Sequence, residues 1–285
     1  MKSIKQLKPT TFFYSIFGVL LIFSSCKEKS EKNSDTLAMA TTTPVVEVPK
    51  KQLSEELKKY WYNGTAEITS YKLEQARYGE IREGSAVMIY VTEPFLPEQQ
   101  VKADNSHKTN IPVLKLNSTK NYITGIYPYS IMTSSFYPVH DNQHAIKVSF
   151  SSQEWCGHVY AQLNNREDFE ITSHSYFESE GDQDYSMEKA ILENEIWNKV
   201  RIDPKNLPIG EVSIVPSLEF IRLTHKELKA YNAITSLDTK GNTNTYTINY
   251  PELERTLKIN FENEFPYLIE SWTDTFHDGF GDNKK

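Results

Sequence analysis

Three segments in the second half of the chain alternate apolar and polar residues with a period of two. Residues 146–150, 245–250 and 257–261 each place a large apolar side chain at every second position. Because successive side chains of a β-strand point to opposite faces, this alternation predicts strands with one buried and one solvated face. Lys240-Gly241-Asn242 fits a hairpin turn before the second of them. Further candidate strands are 66–73, 86–92, 122–129, 159–163, 169–177, 212–215, 233–237 and 267–272.

Two other segments repeat apolar residues at helical spacing. Residues 51–61 predict a short amphipathic helix at the start of the domain, and Met187 to Val200 predicts one mid-chain helix that Asp203-Pro204 ends. Many strands with so few helices predict an α+β fold that is mainly antiparallel β. We expect a curved sheet or an open β-barrel-like domain.

The β-rich part of the chain is long enough for one large domain or two small ones. We predict a single β-rich soluble domain over residues 51–285. The alternative is two closely joined halves that meet near residue 205, where Pro204, Pro208 and Gly210 form the one plausible internal linker.

The chain begins with a charged and then apolar segment. Three lysines, Lys2, Lys5 and Lys8, precede an uncharged apolar run over residues 12–23. A helix of that length spans about 18 Å, which is shorter than the roughly 30 Å of hydrocarbon in a bilayer. The segment is therefore typical of a secretory signal peptide, predicted over residues 1–25, and not of a transmembrane helix.

Small residues directly precede the first cysteine. The run Leu21-Ile22-Phe23-Ser24-Ser25-Cys26 resembles the lipobox of bacterial lipoproteins. The resemblance implies that Cys26 is lipidated and becomes the N-terminus, and several acyl chains at about 0.8 kcal/mol per buried CH₂ anchor a chain permanently. We expect a lipid-anchored protein of the cell envelope, in the outer membrane, with the periplasmic or surface face left open. A buried cysteine after an ordinary signal peptide is the alternative.

Residues 26–50 carry mixed charges and small polar side chains. This composition buries too little apolar surface to fold, so it predicts a disordered tether. Lys27-Glu28 resembles the surface-export signals of Bacteroidetes lipoproteins. Asp35-Thr36-Leu37 matches an O-glycosylation pattern of the same bacteria, with Thr36 as the modified residue. A tether that is only solvated is the alternative.

The overall charge restricts the partners. The chain has 31 basic and 38 acidic residues, a formal net charge of −7, and no long basic stretch. Nucleic-acid binding needs clustered lysines and arginines, so we predict no nucleic-acid partner. The remaining partners are the membrane, through the lipid anchor, and an unknown ligand or envelope protein.

The segment Glu154-Trp155-Cys156-Gly157-His158 is the strongest candidate for chemistry. If it is extended, Cys156 and His158 share a face, and His158 can act as the base for a Cys156 nucleophile. A redox sensor and a soft-metal ligand are further functional interpretations, and a small buried core cysteine is the alternative that we favour. The chain has no HExxH, GxSxG, P-loop or GxGxxG motif, so it predicts no metal site and no cofactor.

Aromatic residues are dense in the middle of the chain. Tyrosine-rich strands suit carbohydrate or peptide binding, because rings stack on a ligand while hydroxyls donate hydrogen bonds. The candidate ligand-binding residues are Tyr127, Tyr129, Trp155 and Tyr160. Packing within and around the sheet is the alternative.

Several runs resemble a family of uncharacterised Bacteroidetes lipoproteins over nearly all of residues 55–282. Members often carry the automatic label "septum formation inhibitor Maf". Maf proteins are cytoplasmic nucleotide pyrophosphatases with a serine- and arginine-rich phosphate-binding motif, which this chain lacks, so no Maf catalytic residue carries over. The runs are Tyr60–Gly64, Ile68–Glu80, Thr124–Ser130, Glu154–His158 and Pro266-Tyr267.

These observations favour a non-enzymatic lipoprotein whose domain binds a ligand or partner at the envelope. One version is a curved sheet that shelters acyl chains, which predicts an apolar concave face. The alternative function is an envelope hydrolase, acyltransferase or redox sensor that uses the Cys156 thiol with His158.

Overall fold

A computed structural model of the chain describes residues 52–140 and 143–279. The predicted signal peptide, the tether, Cys26 and Thr36 lie outside the described residues. The described part belongs to one compact unit, Val48–Lys285. No helix in the described ranges combines the length and the apolar character needed to cross a membrane.

Nine strands form a large antiparallel sheet that curls into a half-barrel. Eight of them lie in chain order, each paired with the next, and the short β3 pairs with β2. The strands are β1 Glu67–Arg77, β2 Glu80–Leu96, β3 Val101–Lys102, β4 Ile111–Thr124, β5 Tyr127–Pro138, β6 Lys147–Glu154, β7 Gly157–Asn165, β8 Phe169–Ser175 and β9 Gln183–Met187.

Six further strands form a second sheet, also in chain order. Its first pair, β10 with β11, is parallel and the other pairs are antiparallel. A parallel pair needs a crossover connection, and helix α2 (Glu193–Ile202) provides it. The strands are β10 Ile191–Leu192, β11 Gly210–Val215, β12 Tyr231–Lys240, β13 Thr243–Tyr250, β14 Arg255–Glu262 and β15 Ile269–Thr275.

Two shorter helices complete the domain, and each begins at a serine N-cap. The Ser54 hydroxyl accepts the Leu57 N–H at the start of α1 (Glu55–Trp61), and Ser217 caps α3 (Leu218–Thr224) in the same way. Short 3₁₀ helices follow at Pro204–Asn206 and Pro251–Leu253.

Helix α2 is enclosed by the rest of the domain. Nine of its ten residues are buried, which leaves it no solvated face, and it packs against β4 and β5 of the large sheet. Its buried polar side chains therefore need partners from other elements. The Asn198 amide donates to the Leu114 carbonyl, and the Glu195 carboxylate accepts the Ala145 N–H.

The prediction of a mainly antiparallel β fold with a curved sheet is confirmed. The predicted hairpin turn is confirmed as well, because β12 ends at Lys240 and β13 begins at Thr243. The end of the mid-chain helix is also right, since α2 ends at Ile202 and Asp203 is its C-cap.

Two local predictions are wrong. A single strand over residues 122–129 is instead a hairpin, since Gly125 adopts a φ of 60° that begins the turn between β4 and β5. The mid-chain helix begins at Glu193, because Met187 pairs with Phe169 at the end of β9 and tertiary strand pairing overrides local helical spacing. The sequence analysis also missed helix α3.

Candidate functional site

A cavity of about 760 Å³ lies between the concave face of the large sheet and the second sheet. Inward-facing side chains of β2, β4 and β5 form one wall, β14 and β15 form the opposite wall, and α2 and α3 border it as well. Its volume falls within the range of ordinary small-ligand sites, roughly 300–1,000 Å³.

Aromatic rings form a continuous group in this cavity. The Trp272 ring packs edge-on against Tyr71, with 4.9 Å between centroids, and against Trp197, at 5.8 Å. The Lys120 ammonium lies 6.0 Å from the Trp272 centroid. The cavity therefore offers flat apolar surfaces next to a cation.

Hydroxyl groups line the wall opposite Trp272. Ser118, Thr133 and Ser135 all face the cavity from β4 and β5. Ser135 is 1% exposed, and among the described residues its Oγ has no hydrogen-bond partner. A buried hydroxyl without a partner is costly, and this one belongs to a residue of the cavity wall.

An ion-pair network centred on the buried Arg255 and Glu193 lies on the other wall. Arg255 donates to both carboxylate oxygens of Glu193 and, through Nε and Nη2, to both oxygens of Asp274 at 2.8 Å. Burial lowers the pKa of Arg255, but the two carboxylates outweigh burial and hold that pKa well above its ordinary value. For Asp274, burial dominates and raises the pKa, and the nearby guanidinium offsets part of the shift.

A second ion pair crosses from the large sheet to α3. The Lys120 ammonium lies 2.8 Å from the Glu219 carboxylate, and both side chains are largely buried. In all, five carboxylates and three basic groups border the cavity, a formal net charge of −2. The site therefore favours a neutral or cationic ligand over an anion.

Cys156 lies in a hairpin turn. Glu154 at the end of β6 pairs with Gly157 at the start of β7, so Trp155 and Cys156 form the connection and the segment is not one extended strand. The thiol is exposed, which contradicts the interpretation as a buried core cysteine. Because Cys156 is in the turn and His158 is in the strand, the two residues do not share one strand face.

The electrostatics at Cys156 do not favour a thiolate. A hydrogen bond with the Glu154 carboxylate raises the pKa of the thiol, and the charge of Glu154 adds to the effect. Arg77 lowers that pKa by less, and His158 is not among the groups that shift it. A nucleophilic cysteine needs the opposite shift.

Three of the four candidate aromatic residues lie close together, beside the turns that join β4 to β5 and β6 to β7. Trp155 is 67% exposed and stacks on Tyr127 with 6.0 Å between centroids, and Tyr127 lies 5.9 Å from the buried Tyr129. Tyr160 is separate from this row: its ring stacks on His174, and its hydroxyl donates to Gln162.

The aromatic row connects to helix α3 through Arg77. The guanidinium lies 4.2 Å from the Tyr78 centroid and 5.5 Å from the Tyr129 centroid. It also donates to the Leu223 carbonyl at 2.8 Å, near the C-terminus of α3. Tyr129 and Arg77 therefore hold α3 in place, and Trp155 remains the exposed member of the row.

Within the described ranges, no group of three or more His, Cys, Asp or Glu side chains is placed to hold a metal ion. No protein-family model, no curated protein and no solved structure matches this chain.

The sequence analysis did not identify the cavity residues as a site. Trp272 lies at the end of the predicted strand 267–272, and a tryptophan in a strand is a signal that could have marked it as a candidate binding residue. Arg255 and Glu193 carry no local signal, because they are 62 residues apart in the chain, and Ser135 is one of many serines and threonines in the strands.

Proposed function

We propose that this chain is a membrane-anchored envelope lipoprotein whose domain binds a ligand between its two sheets without catalysing a reaction. The observation that carries the proposal is the cavity itself, which joins aromatic rings to the unpartnered, buried Ser135 hydroxyl. Such a combination gives affinity through apolar contact and orientation through a few polar groups. The lipobox before Cys26 supports the envelope location.

The buried ion pairs of the cavity support binding rather than catalysis. Arg255 is held by Glu193 and Asp274, and Lys120 is held by Glu219. General acid–base catalysis needs a group within reach of substrate that is free to exchange a proton. Charged groups committed to one another serve instead to fix the shape of the wall.

The structure around Cys156 gives less support to the alternative function, an enzyme that uses this thiol. Cys156 and His158 do not border the cavity, and the pKa of Cys156 is raised. A hydrolase or acyltransferase would need a substrate site at the turn.

The side chains of the cavity walls also indicate the chemical class of the ligand. An acyl chain would face five carboxylates and three basic groups with which it forms no hydrogen bond. The mixture of rings, hydroxyls and charges favours a ligand with polar groups.

The test uses two neighbouring residues on opposite faces of β4. Ser118 faces the cavity, whereas Thr119 does not border it. Ser118→Trp should place an indole ring in the cavity and obstruct it, and Thr119→Trp should leave it open. Fractions of an envelope extract are added to the wild-type chain and to both variants, and Tm is measured. A ligand raises Tm in proportion to its occupancy of the folded state.

We expect at least one fraction to raise Tm of the wild type and of Thr119→Trp equally, and to leave Ser118→Trp unchanged. Circular dichroism spectra of the variants, measured without extract, serve as the control for folding. An equal response of both variants, or no response of the wild type to any fraction, contradicts the proposal.

The lipid anchor has a separate test. Intact-mass measurement of the chain from the membrane fraction should show cleavage before Cys26 and an added mass of acyl chains. The variant Cys26→Ser should lose both. An acyl mass on that variant would contradict lipidation at Cys26.

A further inference from the structure

The cavity is bordered by the free edges of two sheets. β1 is the first strand of the large sheet and pairs with β2, and β15 is the last strand of the second sheet and pairs with β14. Among the described strands, neither has a neighbour on its other side. An edge strand without a neighbour presents unpaired N–H and C=O groups.

Both strands turn these edges toward the cavity. Residues 70–76 of β1 border it without interruption, and so do residues 270–276, which include most of β15. Successive side chains of a strand point to opposite faces, so a wall made by a strand's face would include only every second residue. An unbroken run on each side shows that the cavity passes along the backbone edges.

Two hydrogen bonds show the relative direction of β1 and β15. The Tyr71 hydroxyl donates to the Ile269 carbonyl at 2.8 Å, and the Gly79 N–H donates to the Asp278 carboxylate at 2.7 Å. Residue numbers rise together along both strands, so β1 and β15 run in the same direction. Between these contacts lies a slot about seven residues long, roughly 20–25 Å of extended chain.

Near Tyr71 the slot has a width that suits one strand. β1 and β15 are not hydrogen-bonded to each other, yet the side chain of Tyr71 reaches from one to the other. A missing strand between two others needs two strand spacings, about 9.5 Å. A tyrosine side chain and one hydrogen bond span a distance of that order.

We propose that the ligand of this cavity is an extended peptide segment that pairs with β1 and β15 at once, antiparallel to both. This inference rests on the proposed function and names its ligand class. The guest backbone satisfies both free edges and joins the two sheets into one. Sugars and acyl chains lack the regular alternation of donors and acceptors that two strand edges present.

Side chains of the guest alternate between two environments. Those that point inward meet Leu73 and Trp272, so apolar residues fit there. Those that point outward pass the exposed side chains of Lys72, Glu74 and Glu270, where two carboxylates outnumber one ammonium. Charge complementarity therefore favours basic residues at every second position.

The probe is a fluorescein-labelled peptide of three Val-Lys repeats, acetylated and amidated at its ends. It is titrated by anisotropy against the full chain in detergent micelles. A matched peptide carries N-methyl groups on alternate amides and cannot donate those hydrogen bonds. We expect saturable binding of the first peptide and at least tenfold weaker binding of the second.

Amide hydrogen exchange then locates the peptide. Binding should slow exchange in residues 67–77 and 269–275 and leave β9, the other edge of the large sheet, unchanged. The charge reversal Glu74→Lys should weaken binding of the lysine peptide about fivefold. Glu170→Lys, an equally exposed change on β8 away from the cavity, should alter it less than twofold.

The other outcomes separate this inference from the proposed function. Equal binding of the N-methylated peptide, or protection elsewhere, overturns strand pairing. If maltohexaose or palmitate binds and the peptide does not, the ligand is not a peptide, although the cavity is still a binding site. Protection of the same strands by dimerisation of the chain alone identifies a second copy as the occupant and overturns the inference. Failure of all three probes also overturns it, while the envelope-extract experiment decides the proposed function independently.

Discussion

The Arg255 guanidinium donates two hydrogen bonds, 2.6 and 2.8 Å long, to the two carboxylate oxygens of Glu193. The pair joins the first residue of β14 to the first turn of α2 and is nearly inaccessible to water. Tyr250 donates a third hydrogen bond to the same carboxylate. The helix inside the domain is therefore fixed to the second sheet by a bidentate ion pair.

Removing one partner of this pair should destabilise the fold strongly. Arg255→Met leaves the Glu193 carboxylate buried without its cation, and we expect a loss of about 3–5 kcal/mol in the free energy of unfolding. Lys258→Met, at an exposed position of the same strand, should change it by about 0.5 kcal/mol or less. Urea unfolding measures both, and equal midpoints for the two variants would contradict the role of the pair.

A second bidentate pair should appear in the pH dependence of stability. Burial raises the pKa of Glu67, but hydrogen bonds and charge from Arg201, with a hydrogen bond from Tyr60, outweigh it and hold the pKa below its ordinary value. The unfolded carboxyl titrates near pH 4.3. The stabilisation is therefore complete above that pH and is lost as the pH falls through the lower folded pKa.

Glu67→Gln should accordingly flatten the acid limb of a plot of unfolding free energy against pH. Glu74→Gln, at an exposed carboxylate of the same strand, should keep the wild-type slope below pH 5. Parallel acid limbs for the wild type and Glu67→Gln would show that the Arg201 pair contributes no pH-dependent stability.

The Cys156 thiol should react in the folded protein, but slowly at neutral pH. It is exposed, and the Glu154 carboxylate raises its pKa, so the thiolate fraction is small. We expect the alkylation rate to rise with pH with an apparent pKa above the ordinary value, and Glu154→Gln to speed the reaction at pH 7. An apparent pKa below the ordinary value would support the enzyme or sensor alternative.

Gly84 should tolerate no larger residue. A Cβ there would lie 2.2 Å from the Asn121 carbonyl oxygen and 2.8 Å from the Tyr122 Cβ on β4. Gly84→Ala must push two paired strands apart, and we expect a loss of about 1–3 kcal/mol in unfolding free energy. Ser85→Ala, at the next and exposed position, serves as the control, and thermal unfolding that does not distinguish the two would refute the close approach.

The sequence predicted those parts of the fold that local patterns encode. The alternation at residues 245–250 and 257–261 is that of β13 and β14, and Gly241 marks the turn before them. The turn at Trp155-Cys156 could not be predicted in the same way, because neither residue type is typical of a turn. Gly157, which follows the turn, was predicted to lie within an extended segment.

The interior of the domain depends on contacts that are distant in the chain. Glu193 and Arg201 both lie on helix α2, and each is buried against a residue from another element. The partner of Arg201 is Glu67, 134 residues away in sequence. The cavity arises from the space between two sheets, so no local pattern encodes it. Aromatic content made Tyr127, Tyr129, Trp155 and Tyr160 candidate ligand-binding residues, but it did not predict that the first three lie in one row apart from Tyr160.

The most direct test of this account asks whether the space between the sheets is open to solutes in the folded protein. Ser118→Cys places a thiol on the cavity wall, and Ser152→Cys places one at a buried position that does not border the cavity. Both are made in a chain with Cys26 and Cys156 replaced by serine, and labelling by a small methanethiosulfonate reagent is timed under native conditions. The account predicts that Ser118→Cys is labelled much faster than the protein unfolds, and Ser152→Cys only at the rate of opening. Labelling of both at the same slow rate would mean that the sheets enclose a packed core, and would contradict a binding cavity.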